Sequence, residues 1–198
     1  MGEANLRRMS PDEFFAWQAK QDRLYELVDG VPVLPLKMMM GASQTHDRAA
    51  VNIIASVHAQ LRGSPCRPTT DNLAVRIPAG NIRRPDVTVE CGEGDPRDMS
   101  VKEPRVVVEV LSPSTMNFDR FTKLPEYQTI ETLARIVFVD TETPRVEAVS
   151  RDADGRWVPK RHDGLDAYID LSAIGARLNL SDVFERVTFP EARGPRLV

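Results

Sequence analysis

Arg105-Val106-Val107-Val108-Glu109-Val110-Leu111, broken at once by Ser112-Pro113-Ser114-Thr115, is the stretch on which the fold turns. Three consecutive valines with Val110-Leu111 behind them read as a strand apolar on both faces, the pattern of a strand in the middle of a sheet. The proline that follows ends its ladder. Glu109 does not suit such a strand. An ionised carboxylate there is costly unless it is paired or ligates a metal. Some twenty residues earlier, Arg84-Pro85-Asp86-Val87-Thr88-Val89-Glu90 sets Asp86 at the head of a second apolar strand. Two carboxylates on neighbouring strands can share one hard cation through oxygen, and Mg²⁺ commonly takes one or two protein carboxylates and keeps its waters. Spacing alone also leaves plain structural roles open: Glu109 paired with Arg84 or Arg105, and Asp86 capping a strand end.

The elements around these strands are legible. Ser10-Pro11-Asp12-Glu13 is a capping box with proline at the first helical position, so a short helix runs to about Lys20. Asp29-Gly30 between Leu24 to Val28 and Val31 to Leu36 signals a two-residue hairpin. Val51, Ile54, Val57 and Leu61 recur at helical steps and predict a helix from about Gln44 to Arg62, stopped at Gly63. Further strands are predicted at Leu73 to Ile77, Ile136 to Asp140, Arg145 to Ser150 and Trp157 to Arg161, with a turn at Asp152 to Gly155. A helix is expected over about Asp119 to Thr129, kinked or starting late at Pro125, and a small one over Ser181 to Val187. The order predicts a mixed α/β or α+β fold: one central sheet, helices against it and added β-hairpins. A single domain over residues 1–189 and a loose tail at 190–198 are expected.

Composition bounds the function. The chain has 198 residues, 41% apolar and 28% charged, as in an ordinary globular domain. Its 26 Lys and Arg against 29 Asp and Glu give a net charge of -3, which excludes a strongly basic nucleic-acid binder. The deficit is local: residues 76–123 hold eight basic and eight acidic side chains, while 124–198 hold ten and thirteen. Any grip on phosphate is therefore expected from Arg83, Arg84, Lys123 and a bound ion rather than from a broad basic face. No Gly-rich phosphate loop follows a strand. No apolar run is long enough to span a bilayer and the start lacks a secretory pattern, so a cytoplasmic location without membrane contact is expected. Cys66 and Cys91 read as free thiols, and the His and Cys placements make no zinc site. Met38-Met39-Met40 reads as packing or a loop.

After the Ser-Pro-Ser-Thr break come Asp119, Arg120 and Lys123. Lys123 lies four residues after Asp119 on one helical face. That pair reads either as a surface ion pair or as a cation beside a metal, placed to orient a water or neutralise phosphate charge. Arg-Pro-Asp-Val at 84–87, the run from Val106 to Thr115, then Asp119, Lys123 and Tyr127 resemble the Uma-type family of restriction-endonuclease-like proteins, in the PD-(D/E)XK nuclease superfamily. Tyr25 to Gly30 is similar to its opening hairpin, and 151–157, 164–166 and 178–184 to its closing hairpins and short helix. The resemblance implies a restriction-endonuclease-like core. It implies Asp86 and Glu109 as ligands of Mg²⁺ or Mn²⁺, the Val110 carbonyl as a third, and metal-dependent hydrolysis of DNA. One departure stands out: the superfamily's lysine two residues after the glutamate is replaced by Leu111, and Lys123 matches a migrated lysine.

Glu26 matches an acidic residue near the family's site, or is an exposed strand position beside a turn. His46, followed by Asp47, matches a family histidine but reads first as a surface or capping residue. Asp119 and Arg84 complete the candidate set. A homodimer is compatible with a substrate of two strands. The competing readings are a nuclease fold retained as a binding or assembly module, suggested by Leu111, and a phosphodiesterase for small molecules.

Overall fold

A computed structural model describes residues 8–35, 43–112 and 119–189. Met38 to Met40, Pro113 to Thr115 and the expected tail lie outside them.

Helix α1 (Pro11–Gln18) opens with the expected capping box: the Ser10 side chain accepts from the Glu13 N–H, and the Glu13 side chain accepts from the Ser10 N–H. Strands β1 (Glu26–Val28) and β2 (Val31–Val33) form the expected hairpin. Asp29 and Gly30 both have positive φ (49° and 80°), as this tight turn requires. A Cβ on Gly30 would also stand 2.8 Å from the Cβ of Arg8, so glycine is needed there twice over. Helix α2 (Gln44–Gln60) follows, capped by Ser43.

Strands β3 (Cys66–Thr70), β4 (Val75–Arg76), β5 (Ile82–Arg83), β6 (Val87–Cys91) and β7 (Pro104–Leu111) come next. The expected strand at Leu73 to Ile77 shrinks to two residues, and β3 and β5 are additional to those expected. β3 carries Pro68, which argues against a central strand. It lies on the sheet edge, where proline's missing N–H is tolerated.

The helix expected from Asp119 begins as a π-helical turn, Asp119–Lys123, and becomes α3 (Leu124–Tyr127) with Pro125 in its first turn. Then come β8 (Arg135–Asp140), β9 (Arg145–Arg151), β10 (Trp157–Asp163), β11 (Tyr168–Leu171), a 3₁₀ turn at Ser172–Ile174, β12 (Ala176–Asn179) and α4 (Leu180–Val183).

The central sheet has six strands in the order β10-β9-β8-β7-β6-β3. Only β7 and β8 pair in parallel within it, so it is mixed. A four-stranded sheet, β2-β1-β5-β4, and the β11-β12 hairpin stand beside it. One face of the central sheet is covered by α2, β12 and α4. Ala49, Ile53, Val57 and Leu61 of the helix segment pack there with Val87, Val89, Val106, Val108 and Val110. The opposite face buries Val107, Leu111, Ile136 and Phe138 under Tyr127, Ile130 and Leu133. β7 is thus apolar on both faces, as its valine run demands. Each such side chain, fully buried, contributes roughly 1.5–3 kcal/mol of transfer free energy. A third, small core of Phe14, Phe15, Leu27, Ala74 and Ile82 holds α1 on the four-stranded sheet.

The cysteines overturn the free-thiol expectation. The β3/β6 register sets Cys66 directly opposite Cys91, and the two are disulfide-bonded. Twenty-five residues separate them in sequence, and only the antiparallel pairing brings them together. No helix among the described residues is long and apolar enough to cross a membrane.

Candidate active site

In the antiparallel β6/β7 ladder, Val87 stands opposite Val108. One step further along the same register, where β6 begins, Asp86 comes beside Glu109. Both are buried, 8% and 2% exposed. Asp86 Oδ2 accepts the Val110 N–H at 2.7 Å and lies 3.3 Å from His46 Nε2. His46 occupies the first turn of α2, and its own N–H donates to the Ser43 side chain at 3.1 Å. The helix cap therefore fixes the backbone from which the imidazole reaches Asp86. His46 is itself buried, so the surface reading of this residue fails.

Glu109 is held from the other side of the sheet. Its Oε1 accepts from Lys123 Nζ at 3.0 Å and from the Tyr127 hydroxyl at 2.6 Å. Lys123 and Tyr127 are four residues apart and reach one carboxylate oxygen together. Lys123 is only 6% exposed. Its Nζ also lies 3.7 Å from Glu26 Oε1, so the ammonium stands between two carboxylates. Leu111, where the sequence resemblance led one to expect a lysine, is buried in the apolar cluster with Val107, Tyr127 and Phe138. A lysine there would bury its charge among apolar groups.

Glu26 is 2% exposed, which overturns the exposed-strand alternative. Its Oε2 takes Arg83 NH1 at 3.0 Å and its Oε1 the Arg84 N–H at 3.0 Å. Burial alone pushes the Glu26 carboxyl up. The charges of Lys123 and Arg83 and the Arg84 N–H outweigh that and hold it below its ordinary value of 4.5. Arg83 also forks onto Glu126, through Nε at 2.5 Å and NH2 at 2.8 Å. Burial lowers the Arg83 pKa, but Glu126 and Glu26 raise it more, so it is permanently charged. Asn81 donates to Glu126 at 2.8 Å and accepts the Asp29 N–H at 2.8 Å, which ties the hairpin turn to the same network. The Tyr127 hydroxyl is pushed well above its ordinary value by burial and by the charges of Glu109 and Glu26, so it stays a donor.

The two arginines expected to grip phosphate are committed elsewhere. Arg83 and Arg84 are 0% and 1% exposed. Arg84 Nε donates to the Tyr25 carbonyl, and its NH1 to the carbonyls of Asp71 and Asn72, each at 2.8 Å. It clamps two loops from inside. Of Asp119 only the backbone is described. The Arg83, Asn81 and Glu126 contacts were not anticipated; Glu126, three residues after Lys123 on the same helical segment, was the available signal.

Among the described residues no three His, Cys, Asp or Glu side chains converge into a metal cage. Two carboxylates and a main-chain carbonyl are hard oxygen donors, and that sparse set fits Mg²⁺ or Mn²⁺, which retain waters, better than zinc.

Residues 11–181 match the profile of a family described as Uma2, "Putative restriction endonuclease". The chain belongs to this family. It is 28% identical over 191 residues to "Uncharacterized protein slr1290" of Synechocystis, covering 94% of this chain and 96% of that one. A second Synechocystis relative, "Uncharacterized protein sll1609", is 25% identical over 173 residues, covering 85% and 96%. The fold is shared with the crystal structure of "a putative nuclease belonging to DUF820" from Anabaena variabilis, with a TM-score of 0.69 and 14% identity over 91% of this chain and 99% of the other. The Uma2 chain therefore has a nuclease-like fold.

Proposed function

We propose that this protein hydrolyses DNA phosphodiester bonds with the help of Mg²⁺ or Mn²⁺. The observation that carries the reading is the buried Lys123 ammonium, 3.0 Å from Glu109 and supplied by the helix after β7. It restores beside Glu109 the cation that Leu111 removes from the strand.

Asp86, Glu109 and the Val110 carbonyl would hold the ion, which when bound supplies Lewis acidity and an activated water. The chain's own groups do the rest. His46 and the Val110 N–H fix the Asp86 carboxylate. Tyr127 and Lys123 fix Glu109. Lys123 stands where it can orient an attacking water and neutralise charge developing on the phosphate oxygens. Arg83, locked between Glu26 and Glu126, holds the hairpin against this centre. No side chain needs to form a covalent bond to the substrate.

The test is incubation of wild type, Asp86→Ala, Glu109→Gln and Lys123→Met with plasmid and with single-stranded DNA, in Mg²⁺, in Mn²⁺ and in EDTA. Cleavage by wild type that needs the ion and is lost in all three variants supports the reading. Wild-type cleavage indistinguishable from Asp86→Ala on both substrates overturns it.

A further inference from the structure

The Cys66–Cys91 bond joins the outermost strand of the central sheet, β3, to β6. The Gly92 N–H donates to the Pro65 carbonyl at 3.0 Å. The next pair along, Cys66 opposite Cys91, therefore falls at a position without ladder hydrogen bonds, where facing side chains lie closest. No residue of β3 is fully buried. Arg67 adds ties to Glu90 at 3.0 Å and to the Gly92 carbonyl at 2.7 Å, both at the disulfide end of the strand. A cleft of about 780 Å³ lined by Ser64, Cys66, Arg67, Glu90 and Gly92 opens beside the bond, and both cysteines are half-buried, so a small reductant has access.

At its other end β3 runs into Asp71 and Asn72, whose carbonyls accept from Arg84 NH1 at 2.8 Å each. Arg84 is 1% exposed, and its N–H donates to Glu26, the second carboxylate at Lys123. Disulfide, β3, the two carbonyls, Arg84 and Glu26 thus form one continuous series of contacts. The element in it with two states is β3, paired or frayed. The chain has two cysteines, so no third thiol competes for the bond. We propose that Cys66–Cys91 is a redox switch on the candidate site. Oxidised, it pins β3 and the carbonyls that hold Arg84; reduced, it lets the edge strand fray and loosens Arg84 and Glu26. The reductant is a dithiol. One of its thiolates attacks a cysteine sulfur, the S–S bond breaks, and the other cysteine leaves as a thiolate and takes up a proton. The second thiolate of the dithiol then displaces the first cysteine. The reagent ends as a disulfide, having given two electrons and two protons to Cys66 and Cys91. The effect on cleavage rests on the nuclease reading; the structural switch does not.

The experiment follows amide hydrogen exchange by mass spectrometry in the wild-type chain, oxidised and after reduction with dithiothreitol. Reduction is expected to speed exchange at least about thirtyfold over residues 67–72, the lower end of the usual effect of one disulfide. A weaker rise is expected at residues 25–28 and at Arg84, and none in β8. The Cys66→Ser/Cys91→Ser protein should resemble the reduced chain and ignore dithiothreitol; if it fails to fold, the two wild-type states decide alone. Unchanged exchange at 67–72 overturns the proposal. So does a response that stops at β3 or spreads equally to β8, or failure of the bond to form in a glutathione-disulfide buffer. Cleavage is scored separately, and under the nuclease reading it falls on reduction of wild type and not of the serine variant. No cleavage in either state with the exchange response intact defeats the nuclease reading alone. Equal cleavage in both states defeats the switch alone.

Discussion

Asp86 and Glu109 lie side by side at the end of one strand pair, yet they are held by different parts of the molecule. Asp86 is fixed by the sheet's own backbone, through the Val110 N–H, and by His46 from the helix on one face. Glu109 is fixed by the side chains of Lys123 and Tyr127, from the segment on the other face. The first carboxylate is in place as soon as β7 and α2 are. The second depends on a short turn packing correctly after a break in the chain. The pair is thus rigid on one side and conditional on the other, and Lys123 sits on the conditional side.

Breaking the conditional side should have the largest effect. Lys123→Met leaves Glu109 and Glu26 buried without the ammonium between them. The expected cost is about 3–5 kcal/mol in denaturant unfolding at neutral pH, the range for losing one partner of a buried pair. Under the proposed reading, cleavage should fall about 10²–10³-fold as well. A Lys123→Met protein as stable as wild type would show that the Glu109 side is not held by charge.

Tyr127→Phe sharpens the contrast. It removes one donor from Glu109 and leaves the ring's packing intact. A loss of about 1–3 kcal/mol is expected, the range for leaving a buried acceptor short of a partner. Nothing comparable should follow from His46→Gln. Asp86 keeps its bond from the Val110 N–H, and the loss should stay near about 1 kcal/mol. If His46→Gln destabilises more than Tyr127→Phe in the same urea titration, the assignment of a rigid and a conditional side is reversed.

The same division explains what could be read from the sequence. Asp86 and Glu109 were visible because carboxylates in valine-rich strands are conspicuous. Most of the strands around them followed from apolar runs and turn residues, while their order in the sheet did not. Lys123 was visible by its likeness to a family pattern, since its spacing from Asp119 fits a surface pair equally well. His46 read as a surface residue because a histidine before an aspartate at a helix start usually is one, and only the packing of α2 on β7 buries it. Arg83 and Arg84 read as phosphate ligands because composition does not distinguish an arginine facing solvent from one buried on carboxylates and carbonyls. The disulfide was invisible because two cysteines 25 residues apart gain meaning only from the β3/β6 register. Strand β3 itself was masked by Pro68, which an edge position tolerates.

The smallest expected effect concerns Glu26, which lies between the two sides as the second carboxylate at Lys123. Its carboxyl is held below its ordinary value of 4.5 in the folded protein. The unfolded chain therefore takes up the proton first as the solution is acidified. The stabilisation from the Glu26 charge is complete above that ordinary value and is lost as pH falls through the lower folded one. Glutamine has no proton to gain. Urea midpoints for wild type and Glu26→Gln should differ most at about pH 6 and converge toward about pH 3, with wild type having the steeper acid slope. A gap that stays constant across that range would mean that Glu26 acts there through shape and hydrogen bonding. The position of Lys123 would then not depend on the Glu26 charge, and its contact with Glu109 would matter more to the conditional side of the site.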